Sequence, residues 1–170
     1  MADSKWVFKD NTVKVLSAMD AEMQAVLEEC AGLLESQVKR NSRVGQASAP
    51  TKNSWQHKVT KDGNEHIAIV GSPLENAIWE EFGTGEHAIT ENGGRGGRIG
   101  AWYVPVEKVV GYKKPTYNGK VIIVHGKNGQ DFYKTNGKKP SRAFWKAYTA
   151  LKNKIIKRIQ TRMSGKFNGK

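Results

Sequence analysis

The apolar positions of residues 10–39 recur at three- and four-residue steps. Leu16, Met19, Met23, Val26, Leu27, Cys30, Leu33 and Leu34 make one stripe, and Asp20, Glu22, Glu28, Glu29 and Glu35 mostly face away from it. This period predicts one helix from Asp10 to Lys39, about 45 Å long. Gly32 weakens it slightly. A helix of that length can cover a sheet and still reach a neighbouring subunit. Residues 41–53 carry Ser, Gly, Ala, Pro and basic residues without a period, so a loop is expected there. The period then drops to two. Residues 54–60 place Trp55, His57 and Val59 on one face, Asp62-Gly63 supplies a turn, and residues 65–71 return with Ile67 and Ile69 as their apolar positions. Ser72-Pro73 ends this hairpin, because proline cannot continue a ladder. Residues 74–82 read as a short helix that Gly83 stops.

From Glu86 to Lys138 the pattern changes. Gly93-Gly94-Arg95-Gly96-Gly97-Arg98 is too rich in glycine to hold regular structure. Residues 102–106, 109–112, 121–125 and 132–133 read as strands, with Asn118-Gly119 and Asn128-Gly129 as hairpin turns. Together they predict an extended β-hairpin arm with a loop at its root. Residues 141–163 return to a helical period, with Phe144, Tyr148, Leu151, Ile155 and Ile159 on one stripe. Lys146, Lys152, Lys154, Lys157, Arg158 and Arg162 cover the rest. Pro140 precedes the start, and the late cations suit the helix dipole. The expected fold is α+β in a single domain: an antiparallel sheet packed by a long N-terminal and a C-terminal helix. Its core is residues 10–85 and 139–163, its inserted loop and arm are residues 86–138, and its tail is residues 164–170.

Charge sharpens this picture. The net charge is +12, but residues 1–85 hold 9 Lys+Arg and 12 Asp+Glu, a balance of −3, while residues 86–170 hold 19 and 4, a balance of +15. Such asymmetry fits an oriented protein whose basic part meets nucleic acid or an acidic partner; it also fits a lysine-rich solvated surface. No apolar run is long enough to cross a membrane, the N-terminus leads into no secretory segment, and Cys30 stands alone. A reducing, intracellular site of synthesis is expected, with Cys30 as a core thiol.

Catalytic signals are weak. Gly83-Thr84-Gly85-Glu86-His87-Ala88 matches a relaxed dinucleotide fingerprint by letters but follows a helical segment and precedes a loop, the reverse of the strand–turn–helix context such a site needs. No Gly-Lys pair is followed by Ser or Thr, so no P-loop is present. His57, His66, His87 and His125 lack zinc-helix spacing. Glu80 and Glu81 are adjacent and cannot share a substrate on a helix; one exposed Glu and one bracing the Gly-Thr-Gly turn is the simpler reading. Ser17, Ser48 and Ser141 have no triad companions at a familiar spacing. A metal nuclease would have only Glu86, Glu91, Glu107 and Asp131 in the second half. The expectation is therefore no enzyme, no cofactor and no metal. Candidate interface or nucleic-acid contacts are Arg95, Arg98, Lys138, Lys139, Arg142, Trp145, Lys146, Lys157 and Arg158.

Two segments carry a resemblance. Ala77-Ile78-Trp79-Glu80-Glu81-Phe82-Gly83-Thr84-Gly85 falls on a motif that reads Tyr-Ala-x-Tyr-Val-Glu-Phe-Gly-Thr-Gly, and Arg142-Ala143-Phe144-Trp145-Lys146-Ala147 takes the first six places of Arg-Pro-Phe-Leu-Arg-Pro-Ala, without its prolines. In this order they resemble the phage neck and tail-completion proteins, a family of head–tail joining, minor tail components. The resemblance covers roughly residues 10–85 and 139–163, so the long arm lies outside it. It implies a structural virion protein that forms or completes a ring between head and tail. Other neck and tail proteins would be its partners, and DNA in the channel or an acidic ring would face the last helix. It implies residence in the virion neck or tail after assembly in the host cytoplasm. Glu81, Phe82, Gly83, Thr84 and Gly85 would form a fixed structural turn with Phe82 packed inward. The alternative is a DNA-binding protein using the basic C-terminal half.

Overall fold

The long helix and the last helix form the frame. The computed structural model describes residues 10–43, 49–89 and 100–167. Helix α1 spans Thr12–Asn41 and α4 spans Ala143–Phe167. They lie antiparallel: Asn41 Nδ2 donates to the Ala143 carbonyl at 3.2 Å near one end, and Arg162 Nε reaches Glu22 at 2.6 Å near the other. Ala143 and Ala147 are buried at the crossing, where small side chains let the two backbones approach closely. Val38, Trp55, Ala77, Ala143 and Ala147 make the core cluster, with Leu34 and Phe144 packed against it. The Trp55 and Phe144 rings stack with centroids 5.8 Å apart.

The period-two segment folds as expected into a hairpin, β1 (Gln56–Asp62) and β2 (Glu65–Gly71), whose last pair is Asp62 with Glu65. The turn residues are Gly63-Asn64; Gly63 takes φ 56 at the first position, where only glycine bends freely. The hairpin lies on α1 with His57, Val59, His66, Ala68 and Val70 on the helix side, which leaves Ile67 and Ile69 on the outer face. Those two isoleucines are exposed, although they are the apolar positions that signalled the strand. The expected loop before the hairpin contains a short helix, α2 (Ala49–Asn53). Helix α3 (Asn76–Phe82) follows the hairpin, and Gly83 closes it by donating to the Trp79 carbonyl at 2.9 Å.

The arm holds a second sheet. Strands β3 (Trp102–Pro105), β4 (Ile122–His125) and β5 (Asp131–Thr135) are antiparallel in the order β3-β5-β4, so the β4–β5 hairpin takes β3 as a third strand. Residues expected as a strand near Val109 instead follow Pro105 into a 3-10 turn, Val106–Val109. Asn118-Gly119 does turn the chain, with φ 48 and 78, but closes only the single bridge Tyr117–Lys120. The chain is thus an α+β fold whose sheets are both antiparallel.

Candidate functional site

The two segments singled out in the sequence meet in one junction. Helix α3 delivers Glu80 and Glu81, the Gly-Thr-Gly turn follows, and the segment 136–142 runs across it before α4. Ser141 N donates to the Glu80 carbonyl at 2.7 Å and Arg142 N to the Glu81 carbonyl at 3.3 Å. Thr84 and Lys138 exchange bonds: Thr84 N to the Lys138 carbonyl and Lys138 N to Thr84 Oγ1, both 2.9 Å. Glu86 N donates to the Asn136 carbonyl at 2.8 Å. Those at Thr84 and Ser141 satisfy backbone groups of buried residues that would otherwise be stranded.

Three glycines make this crossing possible. Gly83, Gly85 and Gly137 have φ of 79, 62 and 93. A Cβ on Gly137 would stand 2.0 Å from the Thr84 carbonyl oxygen, and one on Gly85 would stand 2.6 Å from the Asn136 carbonyl oxygen. Backbone passes against backbone with no room for a side chain. Gly83 and Gly85 were legible as a turn; Gly137, their counterpart 52 residues on, was not, because nothing local marks a strand that will pass this close.

Both glutamates are engaged, which corrects the expectation of one exposed Glu. Glu80 is 8% exposed, and its carboxylate pairs with Lys138 Nζ. Glu81 accepts from Phe144 N through Oε2 and from Trp145 N through Oε1, each at 2.9 Å. It therefore caps α4 from 63 residues away. The first N–H groups of a helix have no intrahelical partner, and the helix dipole favours a negative charge there. Arg142, at φ 53, turns the chain into the helix, a conformation that costs a non-glycine residue about 1–2 kcal/mol. The helix starts at Ala143, two residues later than Pro140-Ser141 suggested, and Glu81 caps it there.

The other candidate contacts separate. Arg95 and Arg98, with the glycine-rich run, lie outside the described residues. Lys138 is committed to Glu80, and Arg158 reaches Glu29 on α1. Lys139, Arg142, Lys146 and Lys157 are exposed. Trp145 is 52% exposed with the Arg142 guanidinium 5.4 Å above its ring. Beside it a groove of about 350 Å³ runs between the end of the hairpin, α3 and α4, lined by Trp55, Val70, Ile78, Phe82, Phe144 and Trp145. Phe82 is half-buried in that groove. A second cleft, about 290 Å³, lies between Trp79 and Trp102, whose rings meet edge to face at 5.5 Å. Its lining includes Glu80 and Lys138, which neutralise one another.

Two of the histidines, His57 and His66, tie the hairpin to α1. His57 Nδ1 lies 2.5 Å from Glu35 and Nε2 lies 3.2 Å from Glu28. The Glu35 carboxylate beside it raises the His57 pKa, and the same contact, after Lys39, lowers that of Glu35. His66 Nε2 meets Asp20 at 3.1 Å, and Lys61 binds the other Asp20 oxygen. His57 and His66 are not cross-strand partners, since His57 faces Val70 and His66 faces Lys61. Cys30 is buried on α1, and burial pushes its thiol pKa up. Among the described residues, no three His, Cys, Asp or Glu side chains are grouped to hold a metal ion, and no helix is long and apolar enough to cross a membrane.

No protein-family model matches the chain, and neither a curated protein nor a solved structure matches it.

The exposed apolar surface is extensive. Among the described residues, ten hydrophobic side chains are buried, while sixteen large ones are exposed. They fall at the start of α1 (Val13, Val15 and Leu16), on the outer hairpin face, at Leu74 and Ile78 beside and on α3, along the flank of α4 at Trp145, Tyr148 and Ile156, and along the arm. Scattered apolar residues on a surface need no explanation, but contiguous ones mark contact surfaces.

Proposed function

We propose that this chain is a structural virion protein of a tailed phage, which completes the neck or tail end and joins head to tail by assembling into a ring. The observation that carries the reading is the junction. The two segments that resemble neck and tail-completion proteins are distant in sequence yet meet where α4 begins: Arg142 N donates to the Glu81 carbonyl, and the Glu81 carboxylate accepts from Phe144 N and Trp145 N. Glu81 and the start of α4, which carry part of that resemblance, are thus joined directly in this architecture. The charge asymmetry along the chain and the apolar patches suit head-to-tail contacts, in which unlike surfaces of successive copies meet. In this reading the protein acts by holding its neighbours, without turnover, cofactor or metal.

Lys146 and Lys157 are exposed and in this reading would face a channel or a partner ring, whereas Arg158 and Arg162 are occupied by α1 glutamates. Deletion of the gene from the phage that encodes it, followed by electron microscopy, tests the reading. Separate filled heads and finished tails are expected; normal virions would remove it. The DNA-binding alternative instead requires tight binding of free duplex that weakens steeply as salt rises.

A further inference from the structure

The two sheets leave complementary edges open. Among the described residues, strand β2 pairs only with β1, and β4 pairs only with β5. Beyond the free side of β2 lies a trench of about 220 Å³ with α1 as its floor and α4 as its far wall, where Leu27, Leu34, Ala68, Val70, Tyr148 and Ile156 converge. Ala68 points to the helix side of the sheet yet is exposed. A hairpin side chain facing its own core is left open because the place beside it, where a third strand would lie, is empty among the described residues. Tyr148 and Ile156, on the opposite wall, are 43% and 51% exposed. Val70 also lines the neighbouring groove with Trp55, Phe82 and Trp145, so the apolar surface is continuous between the two.

Strand β4 has the matching character. Val121-Ile122-Ile123-Val124 is a run of four apolar residues at a sheet edge, and Val121, Ile123 and Val124 are exposed. Edge strands of freestanding proteins are usually guarded by a charge, a proline or a bulge, and this run contains no charge or proline. Its side chains alternate between two faces, and both faces are apolar. The free edge of β2 asks for such a strand: one face would continue Ala68 and Val70 into the trench, and the other would continue the exposed Ile67 and Ile69. Charge agrees. Residues 100–138 hold 7 basic and 2 acidic side chains, a balance of +5, while residues 10–82 hold 7 and 11, a balance of −4.

We infer that β4 of a second copy adds to the free edge of β2 and fills the trench between β2 and α4. Backbone bonds along the strand give the register, and the trench supplies apolar burial. Donor and acceptor surfaces are different parts of the chain, so the contact is head-to-tail and propagates around a ring. The inference deepens the assembly reading above and rests on it for its biological setting.

Cross-linking of the purified, concentrated chain tests it. In a Cys30→Ala background, a chain carrying Ala68→Cys is mixed in turn with chains carrying Val121→Cys, Ile122→Cys, Ile123→Cys or Val124→Cys. Only directly opposed residues on neighbouring strands come within disulfide range, and successive residues point to opposite faces. A mixed disulfide dimer should therefore form under mild oxidation at one of these positions and fall off at its immediate neighbours. Thermal melting of each variant confirms that it is folded. Absence of the dimer in every mixture, or equal yield in all of them, overturns the docking. Complementation of the deletion phage with a Val121→Lys, Ile123→Lys gene is the second measurement, and loss of head–tail attachment is expected. Normal attachment by this variant, where the deletion itself fails to attach, would remove the strand docking and leave the joining role intact.

Discussion

Individual residues matter here according to what stands beside them. Gly129 and Gly137 both have positive φ, 77 and 93, but nothing lies within 4 Å of a Cβ on Gly129. Gly129→Ala should cost about 1 kcal/mol, the backbone penalty alone. Gly137→Ala adds a collision with the Thr84 carbonyl and should cost about 3 kcal/mol or more, read as a lower urea midpoint at unchanged slope. Equal midpoints for the two variants would contradict the interlocked crossing. Glu81 gives the second test at this scale. Glu81→Ala removes both acceptors from the start of α4 and should lose about 1–2 kcal/mol, with Glu81→Gln intermediate because one amide oxygen remains. Amide exchange at Phe144 and Trp145 should accelerate in parallel. The sequence located this glutamate and named it a brace for its own turn; the helix it caps was not legible, since the bond spans 63 positions.

Between elements, the hairpin is held to α1 by polar contacts at both ends. Lys61 and His66 meet Asp20 near the turn, and His57 meets Glu35 and Glu28 further along. The folded His57 pKa is raised, so its contribution is fully present below its ordinary value of about 6.5 and fades as pH rises through the folded value. The Glu35 pKa is lowered, so its part is present above its ordinary value and fades as pH falls through the folded one. Melting temperature should therefore drop between about pH 6 and pH 9 by more in the native chain than in His57→Gln. A parallel decline in both proteins would show that the contact carries no net stability. Sequence periodicity anticipated both hairpin strands, with Trp55, His57 and Val59 on one face. It did not reveal that Ile67 and Ile69 lie on the other, because alternation identifies two faces without saying which one a helix will cover.

At the scale of the molecule, a modest core supports a broad apolar exterior. Among the described residues only Val26 and Val38 are the large side chains buried completely. If the exterior closes against further copies, self-association stabilises the folded chain by mass action. Its melting temperature should rise with protein concentration, and sedimentation should show larger species as concentration increases. Val121→Lys, Ile123→Lys should abolish both trends while leaving the dilute melting temperature nearly unchanged, since both positions are exposed. A melting temperature independent of concentration across the accessible range would argue against self-association of the free chain.

The sequence by itself determined the local elements and their order: two long helices, the first hairpin, the turn at Gly83, the arm and the uneven charge. Each rests on a short-range rule, a side-chain period or the conformational freedom of glycine, that neighbours within a few residues enforce. Only the tertiary structure decided which charges were spent inside the molecule and which edges stayed open. Lys157 and Arg158 read alike on paper, yet α1 presents Glu29 to one and leaves the other exposed. Long-range pairing depends on how the helices cross and how closely backbones pass. Those distances are set by packing among residues far apart in the chain, which no local pattern encodes.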